Sequence, residues 1–142
     1  MPCPHCKITI IKRRNNESAV SATAYQSGEK LFYEYDQEQK YYPYKNEVTH
    51  KEIMLPPHAP PEYADRNTLW NSAEAQEKQW NSQLAWRFVP AIPREIPPGQ
   101  YADLLRDYYR KFFVSKGMIA DFAIHDKGDG KEDTGRRRHC RQ

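Results

Sequence analysis

One histidine stands at a position in this chain where a side chain could do chemistry. His125 ends a stretch, residues 118–125, whose alternation of apolar side chains predicts a core strand. Successive strand residues point to opposite faces, so Asp121 and His125 share one face. A lone strand histidine is more often a hydrogen-bonded structural residue than a ligand, and a catalytic metal site usually has three protein ligands. The residues alone therefore leave a ligand role and a structural role open.

A tyrosine near the N-terminus is the second candidate. Tyr25 falls in the last turn of a predicted helix of small residues, for which Asn15, Asn16 and Ser18 are candidate caps and which Gly28 ends. A phenol that attacks a phosphodiester forms a covalent phosphotyrosyl ester, and a cation must stabilise the charge on the phosphate. Most tyrosines are instead amphipathic packing residues with a bonded hydroxyl. The sequence pattern does not choose between these two interpretations.

The distribution of charge gives a weaker signal. The net charge is +3, and the twelve residues after Gly130 carry five Lys or Arg against two acidic residues, so the rest of the chain is neutral. An argument for nucleic-acid binding must therefore rest on local patches. Lys12, Arg13 and Arg14 form such a patch at the end of the first predicted strand, where they could meet DNA phosphates.

The cysteines and the apolar runs bear on other classes of protein. Cys3 and Cys6 have the spacing of half a zinc knuckle, which His139 and Cys140 could complete, but free thiols are the simpler interpretation. The longest apolar run, residues 8–11, is far too short to span a bilayer, and the N-terminus lacks an apolar signal stretch. We therefore expect no membrane segment and a cytoplasmic location.

The elements that would position Tyr25 and His125 alternate between strands and helices. The predicted order is strand, helix, two or three strands, helix, strand, helix and strand. Its members are a strand over 7–13, a helix over 18–27, an aromatic hairpin over 32–47, a strand over 48–55, a helix from residue 65, a strand over 84–91, a helix from residue 97 to Gly117, and the strand that ends at His125. This order predicts an α+β fold around a largely antiparallel sheet.

Several separated motifs resemble one family in the right order. They are Met-Pro-Cys-Pro-His over 1–5, Ala-Tyr-Gln-Ser-Gly-Glu over 24–29, Glu-Ile-Met-Leu-Pro over 52–56, Ala-Pro-Pro-Glu-Tyr-Ala-Asp-Arg over 59–66, and Ala-Asp-Phe-Ala-Ile-His-Asp-Lys-Gly-Asp-Gly over 120–130. Together they closely resemble the MobA/MobL relaxases of mobilisable plasmids. The resemblance runs from the N-terminus to Gly130.

The resemblance implies a function and assigns roles to both candidates. Relaxases of this kind nick one DNA strand at a plasmid's origin of transfer, stay attached through a tyrosine, and later rejoin the ends. Tyr25 matches the nucleophile, and His125 matches one of three histidines that hold a divalent metal, Mg²⁺ or Mn²⁺. The implied partners are single-stranded origin DNA and accessory mobilisation proteins. The implied fold is the HUH relaxase fold, with helices packed on one face of the sheet.

The chain departs from the family after Gly130. Relatives carry the other two histidines as a His-x-His pair on the next strand, and that segment is absent here. We therefore expect a partial, truncated relaxase domain over 1–130 that lacks this strand, followed by a basic, disordered tail over 131–142. A lone imidazole binds a divalent metal weakly, so the chain is expected to be inactive by itself. The alternative function is a non-catalytic DNA-binding module that binds origin DNA or any DNA.

Overall fold

The strands form one antiparallel sheet and a separate hairpin. A computed structural model describes residues 6–42, 48–93, 95–125 and 138–141. Within these residues the five-stranded sheet has the order β1-β5-β7-β6-β4, and β2 pairs with β3. The strands are β1 (Cys6–Lys12), β2 (Leu31–Tyr33), β3 (Glu38–Lys40), β4 (Val48–Met54), β5 (Gln83–Ile92), β6 (Ala120–His125) and β7 (Arg138–Arg141). The predicted α+β class and the antiparallel sheet are confirmed.

Three α-helices lie between these strands in the described part of the chain: α1 (Ala19–Ser27), α2 (Arg66–Gln76) and α3 (Tyr101–Phe112). The ends of α1 and the start of α2 follow the predicted signals, whereas α3 ends at Phe112 rather than at Gly117. Ser18 and Asp65 cap α1 and α2 by accepting a backbone N–H of the first turn, and Gly28 ends α1 in the left-handed region at φ 70°. None of the described helices is long and apolar enough to cross a membrane.

The strand β7 overturns one prediction made from the sequence. Residues 131–142 were expected to be disordered and to leave the edge of β6 unpaired, but Arg138–Arg141 lies between β5 and β6 and pairs antiparallel with both. His139 is the register partner of His125 on one side and of Ala91 on the other. Two adjacent strand edges with unpaired N–H and C=O groups favour a strand between them, even one without apolar alternation.

The two faces of β6 carry different helices. Ala120, Phe122 and Ile124 pack beneath α3 in the main core, which also contains Met54, Ile92, Tyr101, Leu105 and Tyr109. Asp121 and His125 point to the opposite face, where they bond to residues of α2 and α1. The shared face of Asp121 and His125 is therefore as predicted. The helices, however, cover both faces of the sheet rather than one.

Small side chains hold α1 close to its neighbours. Ala19, Val20 and Ala24 are completely buried, so the helix approaches α2 and the sheet without a gap. The buried carboxylate of Glu74, on α2, accepts hydrogen bonds from the Val20 N–H at 3.1 Å and the Ser18 hydroxyl at 2.8 Å. Because a negative charge is favourable at a helix N-terminus, Glu74 fixes the start of the helix that carries Tyr25.

The β2–β3 hairpin is attached to α2 through two asparagines. The Phe32 N–H donates to Asn67 Oδ1 at 2.7 Å, and Asn71 Nδ2 donates to the Phe32 carbonyl at 2.7 Å. The Glu34 N–H donates to Asn71 Oδ1 at 3.0 Å. Among the described strands β2 pairs only with β3, so these bonds satisfy its remaining backbone groups and fix the hairpin that leads to Tyr42.

Candidate functional site

Tyr25 faces an open groove between α1 and the sheet. It is half-buried in the last turn of α1, as predicted. The groove has a volume of about 390 Å³ and is lined by Ser21, Ala22, Tyr25, Tyr42 and Arg87. The rings of Tyr25 and Tyr42 meet edge to face, with centroids 5.6 Å apart and planes at 73°. Small residues on α1 thus leave room beside the phenol, and an aromatic ring and a cation border that room.

Arg87 brings a cation into the groove from β5. Its neighbour two residues back, Ala85, packs against the cluster beneath α1, so Arg87 falls on the α1 face of the sheet. A guanidinium presents five N–H donors and matches the geometry of a phosphate. Sequence reasoning missed Arg87 because it read as one polar position in an alternating strand. Only the pairing of β5 in the sheet reveals that this position faces Tyr25.

His125 contacts the segment that carries Tyr25. Its imidazole is 5% exposed, and Nε2 lies 2.6 Å from the carbonyl oxygen of Gln26, the residue after Tyr25. A carbonyl only accepts, so Nε2 carries the proton in this contact and the neutral ring has its lone pair on Nδ1. Gln26 also donates from Nε2 to the Asp121 carbonyl at 3.4 Å. His125 therefore contacts the backbone of the helix that carries Tyr25, but it is not among the residues that line the Tyr25 groove.

The described side chains do not make a complete metal site around His125. A histidine that holds a metal usually donates its other ring N–H to a carbonyl, and the bond to Gln26 has that form. However, no group of three His, Cys, Asp or Glu side chains able to hold a metal occurs in the part of the chain that the structure describes. Within the described residues, His125 is therefore oriented as a metal ligand would be, without a complete set of ligands around it.

The zinc alternative stays a prediction. Cys6 is on β1 and Cys140 is on β7, with β5 between them, and the structure does not describe their side chains. Cys3 and His5 lie outside the described residues.

A buried ion pair holds α2 on the His125 face of β6. Arg66 donates to both carboxylate oxygens of Asp121 at 2.7 to 3.0 Å, and Trp70 Nε1 donates to the same carboxylate at 2.8 Å. Arg66 also pairs with Glu29 at 3.1 Å. Burial lowers the pKa of the Arg66 guanidinium, but the hydrogen bonds and charges of Asp121 and Glu29 together outweigh it, and the net pKa is raised. Asp121 is therefore an anchor for α2.

The basic cluster at the end of β1 lies apart from the groove. Arg13 donates to the carbonyl oxygens of Glu74 and Glu77 at 2.9 Å, so it caps the C-terminal end of α2. Lys12 ends β1, and Arg14 is exposed. None of the three lines the Tyr25 groove. The assignment of Lys12, Arg13 and Arg14 to DNA contact stays a prediction, and for Arg13 the geometry gives a structural role.

Comparison with known proteins identifies the family. The MobA/MobL family model matches residues 17–140. The conjugal transfer protein TraA of Agrobacterium fabrum is 35% identical over 136 residues, which cover 89% of this chain and 12% of TraA. The probable mobilization protein MobA of Bifidobacterium longum is 32% identical over 126 residues, which cover 89% of this chain and 22% of MobA. The chain thus spans less than a quarter of the length of these relatives.

The fold leads to the same group of proteins. A solved structure described as "Molecular Basis of Vancomycin Resistance Transfer in Staphylococcus aureus" matches with a TM-score of 0.84 and 26% identity, over 97% of this chain and 67% of that chain. This match agrees with the relaxase-like fold that the motifs predicted. The chain belongs to the MobA/MobL family of mobilisation relaxases.

Proposed function

We propose that this chain binds single-stranded DNA of a plasmid's transfer origin in the Tyr25 groove, with the scissile phosphate between Tyr25 and Arg87. The observation that carries the proposal is that a phenol and a guanidinium line the same open groove. Attack by a tyrosine on a phosphodiester needs these two groups together, because negative charge develops on the phosphate oxygens. The proposal places the chain in the cytoplasm, where plasmid DNA and accessory mobilisation proteins are its partners.

The reaction that this geometry would serve conserves the number of phosphoester bonds. Tyr25 Oη would form a bond to phosphorus while the bond from phosphorus to a deoxyribose oxygen breaks. The phenol proton passes through solvent to the departing oxygen. Because one ester replaces another, the step is close to balanced in free energy and can run backwards, which suits the rejoining of strands. Arg87 would hold the phosphate and stabilise its charge.

We further propose that the chain nicks DNA poorly by itself. The family resemblance implies a metal held by three histidines, and the described residues supply one of them, His125, with His139 at the facing register position. One imidazole binds Mg²⁺ or Mn²⁺ weakly, since these ions prefer oxygen ligands. Without a firmly held metal ion, Arg87 would be the cation that neutralises the phosphate among the described residues of the groove. A DNA-binding module with little catalysis is therefore the form of the function that we favour.

Binding of labelled single strands tests the role of the groove. Strands tiled across the DNA that flanks the gene are titrated with wild-type protein and with Arg87→Gln, and fluorescence anisotropy gives the dissociation constants. Loss of a charged hydrogen bond to phosphate is expected to weaken binding about tenfold or more. Arg87→Lys, which keeps the charge but loses the fork, should fall between the two.

Arg110→Gln is the matched control, because Arg110 is exposed on α3 and does not line the groove. It removes the same charge and should weaken binding by about twofold or less, as a remote exposed charge does. Circular dichroism establishes that each variant is folded. Equal losses in Arg87→Gln and Arg110→Gln, or no binding of any single strand by the wild type, would rule out the groove as the site.

A further inference from the structure

Tyr42 is the remaining large side chain of the groove, and the family resemblance gives it no role. It follows the β2–β3 hairpin, is half-buried, and packs against the cluster of Val20, Ala24, Leu31 and Tyr33. The asparagine bonds from α2 fix the hairpin that precedes it. The ring is therefore held in place by the fold before any ligand arrives, which lowers the entropy that binding would cost.

The rings of Tyr25 and Tyr42 are steeply inclined to each other, so one planar group can stack on only one of them. Tyr25 and Tyr42 meet at 73° with centroids 5.6 Å apart, so a planar group that stacks on Tyr42 stands nearly perpendicular to Tyr25. Such a group would therefore not stack on the Tyr25 ring at the same time. Arg87 lines the same groove and offers N–H donors to an anion. The groove thus combines an aromatic platform, a cation and a phenol within the dimensions of one nucleotide.

We propose that Tyr42 and Arg87 form a subsite for one unpaired nucleotide of DNA, with its base stacked on Tyr42 and its phosphate on Arg87 beside Tyr25. This inference rests on the proposed function and adds a base-recognition element to it. Stacking on an aromatic ring tolerates any base, because every base has a π face. A base within a duplex already stacks on its neighbours and cannot also stack on Tyr42. The subsite therefore selects single strands rather than a particular sequence.

An abasic scan combined with Tyr42 variants tests the subsite. Labelled single strands, each with one abasic nucleotide, are titrated with the wild-type protein. One position is expected to weaken binding by about fivefold to a hundredfold, the range for loss of one stacked base. Tyr42→Phe keeps the aromatic face and should leave the affinity within about twofold of wild type. Tyr42→Leu should weaken binding of the intact strand by the same factor as the abasic nucleotide weakens binding to the wild type.

The decisive measurement is the binding of the abasic strand to Tyr42→Leu. If the missing base stacks on Tyr42, the abasic strand and Tyr42→Leu remove the same contact, and together they weaken binding no more than either alone. Tyr41→Leu is the matched control, because the adjacent Tyr41 is 51% exposed and does not line the groove. It should leave the abasic profile unchanged.

Failure of this inference is distinguishable from failure of the proposed function. If binding depends on Arg87 but the abasic and Tyr42→Leu losses multiply, the stacking subsite is wrong and the groove remains the DNA site. If Arg87→Gln has no effect, both proposals fall. Should Tyr42→Leu not fold, photocrosslinking of the wild type to 5-iododeoxyuridine at the sensitive position decides the matter. Attachment at Tyr42 supports the subsite, and attachment only elsewhere overturns it.

Discussion

Replacement of Asp121 by alanine is expected to lower the free energy of unfolding by about 3–5 kcal/mol. The substitution removes the main carboxylate partner of Arg66, and the side chain of Arg66 is only 7% exposed. A buried guanidinium without its anion keeps the full cost of desolvation. Trp70 Nε1 also loses its acceptor. Urea denaturation followed by circular dichroism measures the loss.

Two further variants separate this effect from a general intolerance of the site. In the double variant Arg66→Met with Asp121→Leu, both charges are replaced by apolar groups, so the loss should be smaller than for Asp121→Ala alone. Glu52→Ala, on the opposite face, breaks a part-exposed pair with Arg106 and should cost much less, since water solvates the partner. Equal losses in Asp121→Ala and the double variant would show that the ion pair does not anchor α2.

Replacement of Glu74 by alanine is expected to lower the free energy of unfolding by about 2–3 kcal/mol. The carboxylate accepts from the buried Val20 N–H and from the Ser18 hydroxyl, and alanine leaves that N–H buried without an acceptor. Burial, with the neighbouring Glu74 carboxylate second, raises the pKa of Tyr33 to about 12, which reflects how little water reaches this point. Thermal or urea unfolding measures the change.

Glu77→Ala serves as the control for Glu74, because Glu77 is exposed at the end of the same helix. A surface substitution of this kind should leave the free energy of unfolding within about 0.5 kcal/mol of the wild-type value. Glu74→Gln keeps an acceptor oxygen and should fall between Glu74→Ala and wild type. If Glu74→Ala were as stable as Glu77→Ala, the hydrogen bonds from the start of α1 to Glu74 would not contribute to the free energy of unfolding.

Most of the elements were predictable because their signals are local. The cap at Ser18, the glycine that ends α1, and the alternation around Phe122 each depend on residues close in sequence. The strand β7 was not predictable, because its sequence has neither apolar alternation nor a turn partner. Its place comes from the open edges of β5 and β6, which residues far away in the chain create. The presence of helices on both faces of the sheet was also not predictable, because it depends on which strands pair.

The candidate site divides in the same way. Tyr25 and His125 were candidates from motifs, and the structure links His125 to the helix of Tyr25 through the Gln26 carbonyl. Arg87 and Tyr42 carried no local signal, since an arginine in a strand and one tyrosine among ten are unremarkable in sequence. The cluster at Arg13 looked like a phosphate site because charge was visible, whereas its acceptors on α2 are more than sixty residues away.

Relaxation of supercoiled DNA tests most directly the proposal that the chain binds DNA at Tyr25 but nicks it poorly by itself. Supercoiled plasmid carrying the DNA around the gene is incubated with Mg²⁺ or Mn²⁺ and either the wild-type protein or Tyr25→Phe. Gel electrophoresis then measures the open-circular product. We expect the wild type to give no more open-circular DNA than Tyr25→Phe gives. Efficient nicking by the wild type that Tyr25→Phe abolishes would contradict it.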